Sequence, residues 1–141
     1  MVEQLGKYLE DEGVVAINST LFFYSQPETE NVITSIYPET VPQPDYVQGF
    51  NSDHVGAKFL TRGTNSKQAK DFANLIHKKI SQLGGIDLTA YGETIHFVSV
   101  DIVTPPTYLD TDAKGRAQFV SHYSVHIQTQ GNEFRKATIT Q

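Results

Sequence analysis

The sequence predicts an α+β fold, in which a mostly antiparallel β-sheet carries one long amphipathic helix and a short N-terminal helix packed on it. The first observation is a single apolar stripe of helical period within residues 69–83. The second is that β-prone runs both precede and follow this helix. The third is the length of 141 residues, from which we expect residues 1–141 to form a single domain.

The composition is that of a globular protein without cysteine chemistry. Hydrophobic residues make up 38% of the chain, charged residues make up 19%, and Cys is absent. The absence of Cys excludes disulfides, thiolate nucleophiles and thiolate metal sites. No apolar run is long enough to cross a bilayer and no secretory signal is evident, so we expect no membrane association. The net charge of −5 argues against a surface that grips nucleic acid.

A short helix and two β-prone runs open the predicted fold. Apolar residues at helical spacing between Val2 and Leu9 predict the helix, which Gly13 closes. Residues 14–17 and 21–25 are β-prone and are separated by the turn-forming Asn-Ser-Thr sequence.

The next segments lead up to the long helix. Residues 32–37 predict a strand that pairs with the preceding β-prone run as a hairpin. Residues 38–53 contain three prolines and predict an irregular surface loop. Residues 54–62 then predict the strand that precedes the helix.

The long helix is predicted over residues 66–83. Asn65, with Gln68 three residues later, is typical of a capping box, and Gly84 and Gly85 predict a left-handed C-cap. The stripe predicts that the residues packing on the sheet are Phe72, Ile76, Ile80 and Leu83. The opposite face predicts solvent exposure of Lys70, Asn74, His77 and Lys78.

Strands after the helix complete the predicted sheet. Residues 86–91 are a weak strand candidate, whereas residues 94–103 are apolar on both faces and predict a strand buried on both sides near the middle of the sheet. Apolar and polar residues alternate over residues 119–128, which predicts a half-exposed strand. Residues 104–116 between them predict a hairpin loop. We expect the residues from about 131 onwards to be loose.

The five histidines do not predict a metal site. His122 and His126 are four residues apart on a strand, which separates them by about 13 Å and prevents them from sharing one ion. His96 could face either of them across a hairpin, but no third ligand is evident. We therefore predict no metal and no cofactor.

Other chemical motifs are also absent from the sequence. The segment that begins at Asp110 resembles the start of a calcium loop, but Lys114 occupies a ligand position, so a turn with a left-handed Gly115 explains it better. No nucleophile elbow or phosphate-binding glycine motif occurs, and we predict that the chain is not an enzyme. Arg62 could bind an anion at the following helix N-terminus, although such an arginine more often pairs with a carboxylate.

Tyr108 and Leu109 are two large apolar side chains in the predicted hairpin loop. They either fold back onto their own sheet or contact a protein partner. On the second interpretation they form a partner interface, flanked by Asp110, Asp112 and Arg116.

Several segments follow one another in an order that is typical of a known family. They comprise Leu5-x-x-Tyr8-Leu9-Glu10, Asn18-Ser-Thr-Leu21-Phe22, Lys58-Phe-Leu-Thr-Arg62-Gly63, the helix that closes at Leu83-Gly84, and Asp112-Ala-Lys-Gly115-Arg116. Together they resemble the tail terminator proteins, also described as minor capsid or tail-completion proteins, of long-tailed bacteriophages of Gram-positive hosts. The chain departs from the family pattern in residues 38–50, which are Pro-rich where the family usually has a glycine-bearing turn.

The resemblance implies a non-enzymatic virion protein that is assembled in the host cytoplasm. It implies a ring, often of six copies, that closes the completed tail tube at the head–tail junction and offers a surface to the connector beneath the capsid. The implied partners are further copies of the chain, the tail tube protein, the head–tail connector protein, and duplex DNA that passes without tight binding. We expect the isolated protein to be monomeric or weakly associated.

Two other interpretations stay open. The chain could be a small α+β ligand-binding module or host enzyme, with Arg62, His96 and His126 around the ligand. It could also be another component of the head–tail connector, such as a stopper or an adaptor.

Overall fold

The computed structural model describes residues 1–39 and 52–128, with only the backbone of Ser52 and Asp53. Two helices and six strands occur in this part of the chain, which confirms the predicted α+β class. In chain order they are α1 (Val2–Asp11), β1 (Leu21–Phe23), β2 (Ile33–Glu39), β3 (Ser52–Gly63), α2 (Ser66–Ser81), β4 (Gly84–Ala90), β5 (Glu93–Thr111) and β6 (Ala117–Gln128). Neither described helix is long and apolar enough to span a membrane.

The strands form one mixed sheet in the order β1-β2-β3-β6-β5-β4. β1 is parallel to β2, and the other pairings are antiparallel. β6 lies inside the sheet and pairs with β3 along its whole length, from Gly63↔Ala117 to Ser52↔Gln128. Every second residue of β6 is buried, because one face of the sheet is covered by helices. The predicted alternation along this strand is thereby confirmed.

The core lies between this face of the sheet and the two helices. Its largest fully buried side chains include Tyr123, Phe59, Phe97, Leu5, Leu9 and Ile76. Ile76, Ile80 and Leu83 are buried and Phe72 packs against them, whereas Lys70, Asn74 and Lys78 are exposed. These seven residues therefore lie on the predicted faces, whereas His77, predicted to face solvent, does not.

The helix α2 begins where predicted and ends two residues early. The Asn65 side chain accepts a hydrogen bond from the Gln68 backbone N–H at 2.9 Å, while the Gln68 side chain accepts one from the Thr64 N–H at 2.8 Å. The helix ends at Ser81. Gly84 and Gly85, predicted as its C-cap, instead begin β4, because pairing with β5 uses the backbone groups that a cap would have used.

The first strands differ from the predicted hairpin. Residues 14–17 form no strand and contribute only one bridge, between Ile17 and Leu21. Tyr24, directly after β1, has a φ of 64°, which turns the chain out of the sheet. Residues 24–32 then carry the chain back to the end of the sheet at which β1 begins, so that β2 lies parallel to β1. We call residues 24–32 the crossover, because parallel strands require a connection of this kind.

The strand β5 is longer than predicted. Residues 104–111, predicted as part of a loop, continue the strand and pair with β6, and only the turn at residues 112–116 remains of the predicted loop. Pro105 and Pro106 lie within the strand. The pairing with β6 has register shifts at four places, and the one between Thr104 and Thr107 contains both prolines, since bulges tolerate a missing backbone N–H.

The prediction that residues 94–103 are buried on both sides near the middle of the sheet is wrong. β5 lies next to the edge strand β4, and in its first part buried residues alternate with exposed or partly exposed ones. β4 pairs only with the first part of β5, from Ala90↔Glu93 to Gly84↔Ser99. Ile95 and Phe97 in that part are buried, whereas Ile102 and Val103 are 47% and 60% exposed. The apolar pattern on both faces of residues 94–103 predicted burial along the whole run. The neighbouring strand β4 is too short to pair with the second half of the run.

The predicted loop over residues 38–53 lies mostly outside the described residues, and its two ends belong to β2 and β3. The prediction for the residues from about 131 lies outside them as well.

Candidate functional site

Beyond Ser99, β5 pairs with β6 on one side, and no described strand pairs with its other side. We call residues 100–111 the β5 edge. Four of the large hydrophobic side chains that are exposed in the described part of the chain lie on it, namely Ile102, Val103, Tyr108 and Leu109. A cluster of exposed apolar residues of this kind is typical of a protein contact surface.

Tyr108 and Leu109 combine local packing with exposure. The Tyr108 ring meets the Phe119 ring edge-on at a centroid distance of 5.8 Å, and its hydroxyl bonds the Thr111 hydroxyl at 2.7 Å. The two residues nevertheless remain 52% and 50% exposed. Both residues therefore present apolar surface at the β5 edge.

Asp112 organises the turn that follows the β5 edge. One carboxylate oxygen accepts the backbone N–H groups of Lys114 and Arg116 at 2.9 and 3.0 Å, and the other accepts the Arg116 Nε–H at 2.8 Å. Gly115 has a φ of 80°, which confirms the predicted left-handed turn. Partial desolvation raises the pKa of Asp112, but the hydrogen bonds from Arg116 and Lys114 outweigh it and leave the pKa below its usual value.

Arg62 and Arg116 are buried, each with 3% of its surface exposed, and both donate to backbone carbonyls of the crossover. Arg116 Nη1 donates to the carbonyls of Glu28 and Glu30 at 2.7 and 3.1 Å. Arg62 Nη2 donates to the carbonyls of Pro27 and Glu30. These two side chains thus fix the crossover over one end of the sheet, as one arginine clamp.

The arginine clamp changes the interpretation of both residues. Arg62 was expected to bind an anion or a carboxylate, and it binds backbone carbonyls instead. Burial, together with the charge of Arg116, lowers the pKa of Arg62, while the carboxylates of Glu28 and Asp112 oppose this change. Arg116, predicted as part of a partner interface, is buried and bonds Asp112 and the crossover. Sequence reasoning missed the clamp because its partners lie 32 to 88 residues away along the chain.

Asp110 is connected to the crossover through two glutamines. Its carboxylate accepts a hydrogen bond from Gln118 Nε2 at 2.8 Å, and Gln118 Oε1 accepts one from Gln26 Nε2 at 2.6 Å. Asp110, Asp112 and Arg116 are therefore all tied to neighbouring groups, which gives Tyr108 and Leu109 a fixed support.

The histidines occupy separate environments. Their contacts are His96 with Asp87 at 2.6 Å, His122 with Glu39 at 2.8 Å, His77 with the Tyr123 hydroxyl at 2.7 Å, and His54 stacked on His126 with ring centroids 4.5 Å apart. His77, predicted to face solvent, is partly buried against Tyr123. Burial and the neighbouring His54 lower the pKa of His126, while Asp101 opposes this. Within the described residues, no group of three His, Asp or Glu side chains could hold a metal ion.

The residues suggested for a ligand site are not brought together. Arg62 pairs in register with Gln118, whereas His126 lies eight residues further along β6, a distance of about 26 Å on a strand. His96 pairs with Gln128 rather than with His122 or His126. The three side chains therefore do not surround a common space.

A second apolar area lies beside the first turns of α2. A shallow groove of about 530 Å³ is lined there by Val32, Phe72 and Leu75, next to the ion pair of Lys67 with Asp71 at 2.7 Å. Leu75 is 46% exposed. The groove is thus a second apolar contact area on the described surface.

Comparison with known proteins adds one finding. A family profile described as "Bacteriophage tail terminator protein" matches residues 8–129, which is most of the chain. A search of curated proteins finds no match.

Proposed function

Because the chain belongs to the bacteriophage tail terminator family, we propose that it closes the end of the completed tail tube as a ring and joins the tail to the head. The chain is a structural protein of the bacteriophage tail. The proposal adds a ring of six copies around a DNA channel, with the tail tube protein on one side and the connector beneath the capsid on the other. The observation that carries the proposal is the family match over residues 8–129.

The proposed contact between copies or with the tail tube uses the β5 edge. Tyr108 and Leu109 would anchor it, since exposed aromatic and aliphatic side chains within a polar rim are typical of interfaces. Asp110 and Asp112 would form part of the rim. Arg116, which is buried and bonded to Asp112, would hold the turn in place rather than contact the partner.

The distribution of charge supports the passage of duplex DNA without tight binding. On the sheet face opposite the helices, Lys58 and His122 are balanced by Glu39 and Asp101. The net charge of the chain is −5. Tight binding to DNA requires clustered Lys and Arg side chains that release counterions, and a balanced face does not provide them.

We expect the isolated protein to be monomeric or weakly associated. A single domain offers modest interfaces, and the end of the tail tube would supply the template on which the copies meet. Mass measurement of the purified protein, with and without assembled tubes, checks this expectation.

Phage particles made without this protein test the proposed function. We expect tails of abnormal length, or heads and tails that are not joined, when such particles are examined by electron microscopy. Supplying the protein from a plasmid should restore normal particles. Normal, joined tails in its absence, together with tight and salt-sensitive binding of duplex DNA by the purified protein, would contradict the proposal.

A further inference from the structure

The groove beside the first turns of α2 has a size and an apolar lining that suit protruding side chains. We call it the α2 groove. Val32, Phe72 and Leu75 form its apolar part, and its volume of about 530 Å³ is within the range of pockets that hold a bound group. Leu75 is 46% exposed, so an apolar occupant would cover surface that the monomer leaves in water.

The α2 groove and the exposed side chains of Tyr108 and Leu109 lie at the same end of the sheet, on opposite sides of its central strands. One row of paired residues runs across this end, from Ile33 on β2 through β3 and β6 to Asp110 on β5. Val32 in the groove directly precedes Ile33, and Leu109 directly precedes Asp110. The row crosses three strand spacings, about 14 Å.

The first half of α2 lies between these two surfaces. Ala69 and Ala73 of the helix pack with Phe119 of β6, and the Tyr108 ring meets the other part of this cluster at Phe119. Leu75, in contrast, lines the groove on the side of Val32. A copy therefore does not place its own Tyr108 and Leu109 in its own groove, and contact between the two surfaces requires a second molecule.

The charges beside the two surfaces are complementary. Asp110 follows Leu109 and accepts a hydrogen bond from the neutral amide of Gln118, which does not cancel its charge. Lys67 lines the α2 groove, and the N-terminus of the helix adds partial positive charge there. Lys67 pairs with Asp71, but the two side chains are 85% and 62% exposed, and such a pair contributes little to stability. Lys67 can therefore bind an acidic group of another molecule instead.

A closed ring of identical copies needs two different surfaces on each copy, because its contacts are head-to-tail. Tyr108 with Leu109 on one side of α2, and the α2 groove on the other side, have this arrangement. We propose that Tyr108 and Leu109 of one copy dock in the α2 groove of the next copy, with Asp110 beside Lys67. The inference rests on the proposed ring and names the two surfaces that connect its subunits.

Disulfide crosslinking tests the docking directly, because the chain has no Cys. A disulfide forms only where two Cα atoms lie within about 7 Å, and the two positions used here are on opposite sides of α2 within one copy. A full-length variant that carries both Leu75→Cys and Leu109→Cys is assembled on tails and oxidised. We expect a ladder of linked copies that extends beyond the dimer, since each copy is linked to two neighbours.

The matched control carries Leu109→Cys together with Tyr91→Cys. Tyr91 is 76% exposed in the turn between β4 and β5, so its accessibility exceeds that of Leu75, and we expect no ladder from this variant. Ladders of equal yield from both variants, no ladder from either, or linking that stops at the dimer would overturn the proposal.

Charge exchange provides an independent measurement. Asp110→Lys and Lys67→Asp should each lower incorporation into tails several-fold, and their combination in one chain should restore it. Unchanged thermal unfolding of each variant shows that the fold is kept. Normal incorporation of the single variants, or no recovery in the combined variant, would contradict the docking.

Particles made without the protein separate this inference from the proposed function. If such particles are defective but the crosslinking and charge-exchange results are negative, the docking is wrong and the proposed function stands. If such particles have normal, joined tails, the proposed function fails and the docking fails with it.

Discussion

At the scale of single residues, the arginine clamp is the most consequential arrangement in this protein. A buried guanidinium is costly unless its donors are satisfied. Arg116 distributes its donors among Asp112, Glu28 and the Glu30 carbonyl. The planar fork of Arg can reach several acceptors at once, which Lys cannot do. The clamp therefore couples the turn after β5 to the crossover before β2.

We predict that Arg116→Ala lowers the free energy of unfolding by about 2–4 kcal/mol, because it removes the guanidinium donors to the crossover carbonyls and to one carboxylate oxygen of Asp112. Lys114→Ala, in the same turn but with an exposed side chain, should change it by no more than about 0.5 kcal/mol. Denaturant titration of both variants provides the measurement. Similar effects of the two substitutions would show that the clamp does not stabilise the fold.

The lowered pKa of Asp112 predicts a dependence of stability on pH. A carboxyl group whose pKa is lower in the folded state contributes stability above its unfolded pKa, near 3.9, and loses it as the pH falls through the folded value. Asp112→Asn should therefore weaken the loss of stability below about pH 4. Thermal unfolding of the native protein and the variant from neutral pH downward checks this. Parallel curves for the two proteins would contradict it.

At the scale of elements, the unequal lengths of β4 and β5 create the candidate surface. β4 spans Gly84–Ala90, whereas β5 spans Glu93–Thr111. The part of β5 that extends beyond β4 is paired with β6 on one side, and no strand of the described residues pairs with its other side. The amphipathic helix α2, in contrast, meets a sheet face that buries most of its stripe, with Phe72 partly buried.

We predict that Ile76→Ala in α2 lowers the free energy of unfolding by about 2–5 kcal/mol, as for other buried aliphatic residues that are truncated. Ile76 is 1% exposed. Asn74→Ala, on the solvent face of the same helix, should have little effect. Both are compared by denaturant titration, and equal losses would refute the assignment of the two helix faces.

At the scale of the whole molecule, membership of the tail terminator family gives the exposed apolar residues a context. A protein that functions in an assembly keeps part of its apolar surface uncovered until its partners arrive. Within the described residues, the β5 edge combines such surface with a backbone edge that no other strand pairs, and an open edge of this kind is a hazard for a free monomer. Pro105 and Pro106 within this edge limit unwanted pairing, as prolines do on other edge strands.

We predict that changing Tyr108 and Leu109 together to Ser preserves the folded monomer and weakens its incorporation into tails, because both side chains are half exposed. Tyr91→Ser is the matched control, since Tyr91 is 76% exposed in the turn between β4 and β5, and it should leave incorporation unchanged. Circular dichroism reports the fold and quantitative blotting of purified particles reports incorporation. Loss of the fold in the double variant would show that these residues belong to the core instead.

Local sequence pattern was sufficient to predict several elements of this fold. The apolar stripe of α2, its Asn65 cap and the alternation along β6 depend on neighbours within a few residues, so periodicity was sufficient to predict them. The same holds for the left-handed Gly115 in the turn. The order of short motifs along the chain, none of them chemical, was sufficient to indicate the family.

Only the tertiary structure decided which strands are neighbours and where each pairing ends. The parallel β1 depends on a crossover held by Arg62 and Arg116 from distant positions. The exposure of Ile102 and Val103 depends on the length of β4, since an apolar run predicts burial only where a neighbour is long enough to cover it. The sequence pattern of a segment shows which of its residues are suited to burial. The strands that pair with the segment are selected by contacts far apart in the chain, and these strands determine which of its residues are buried.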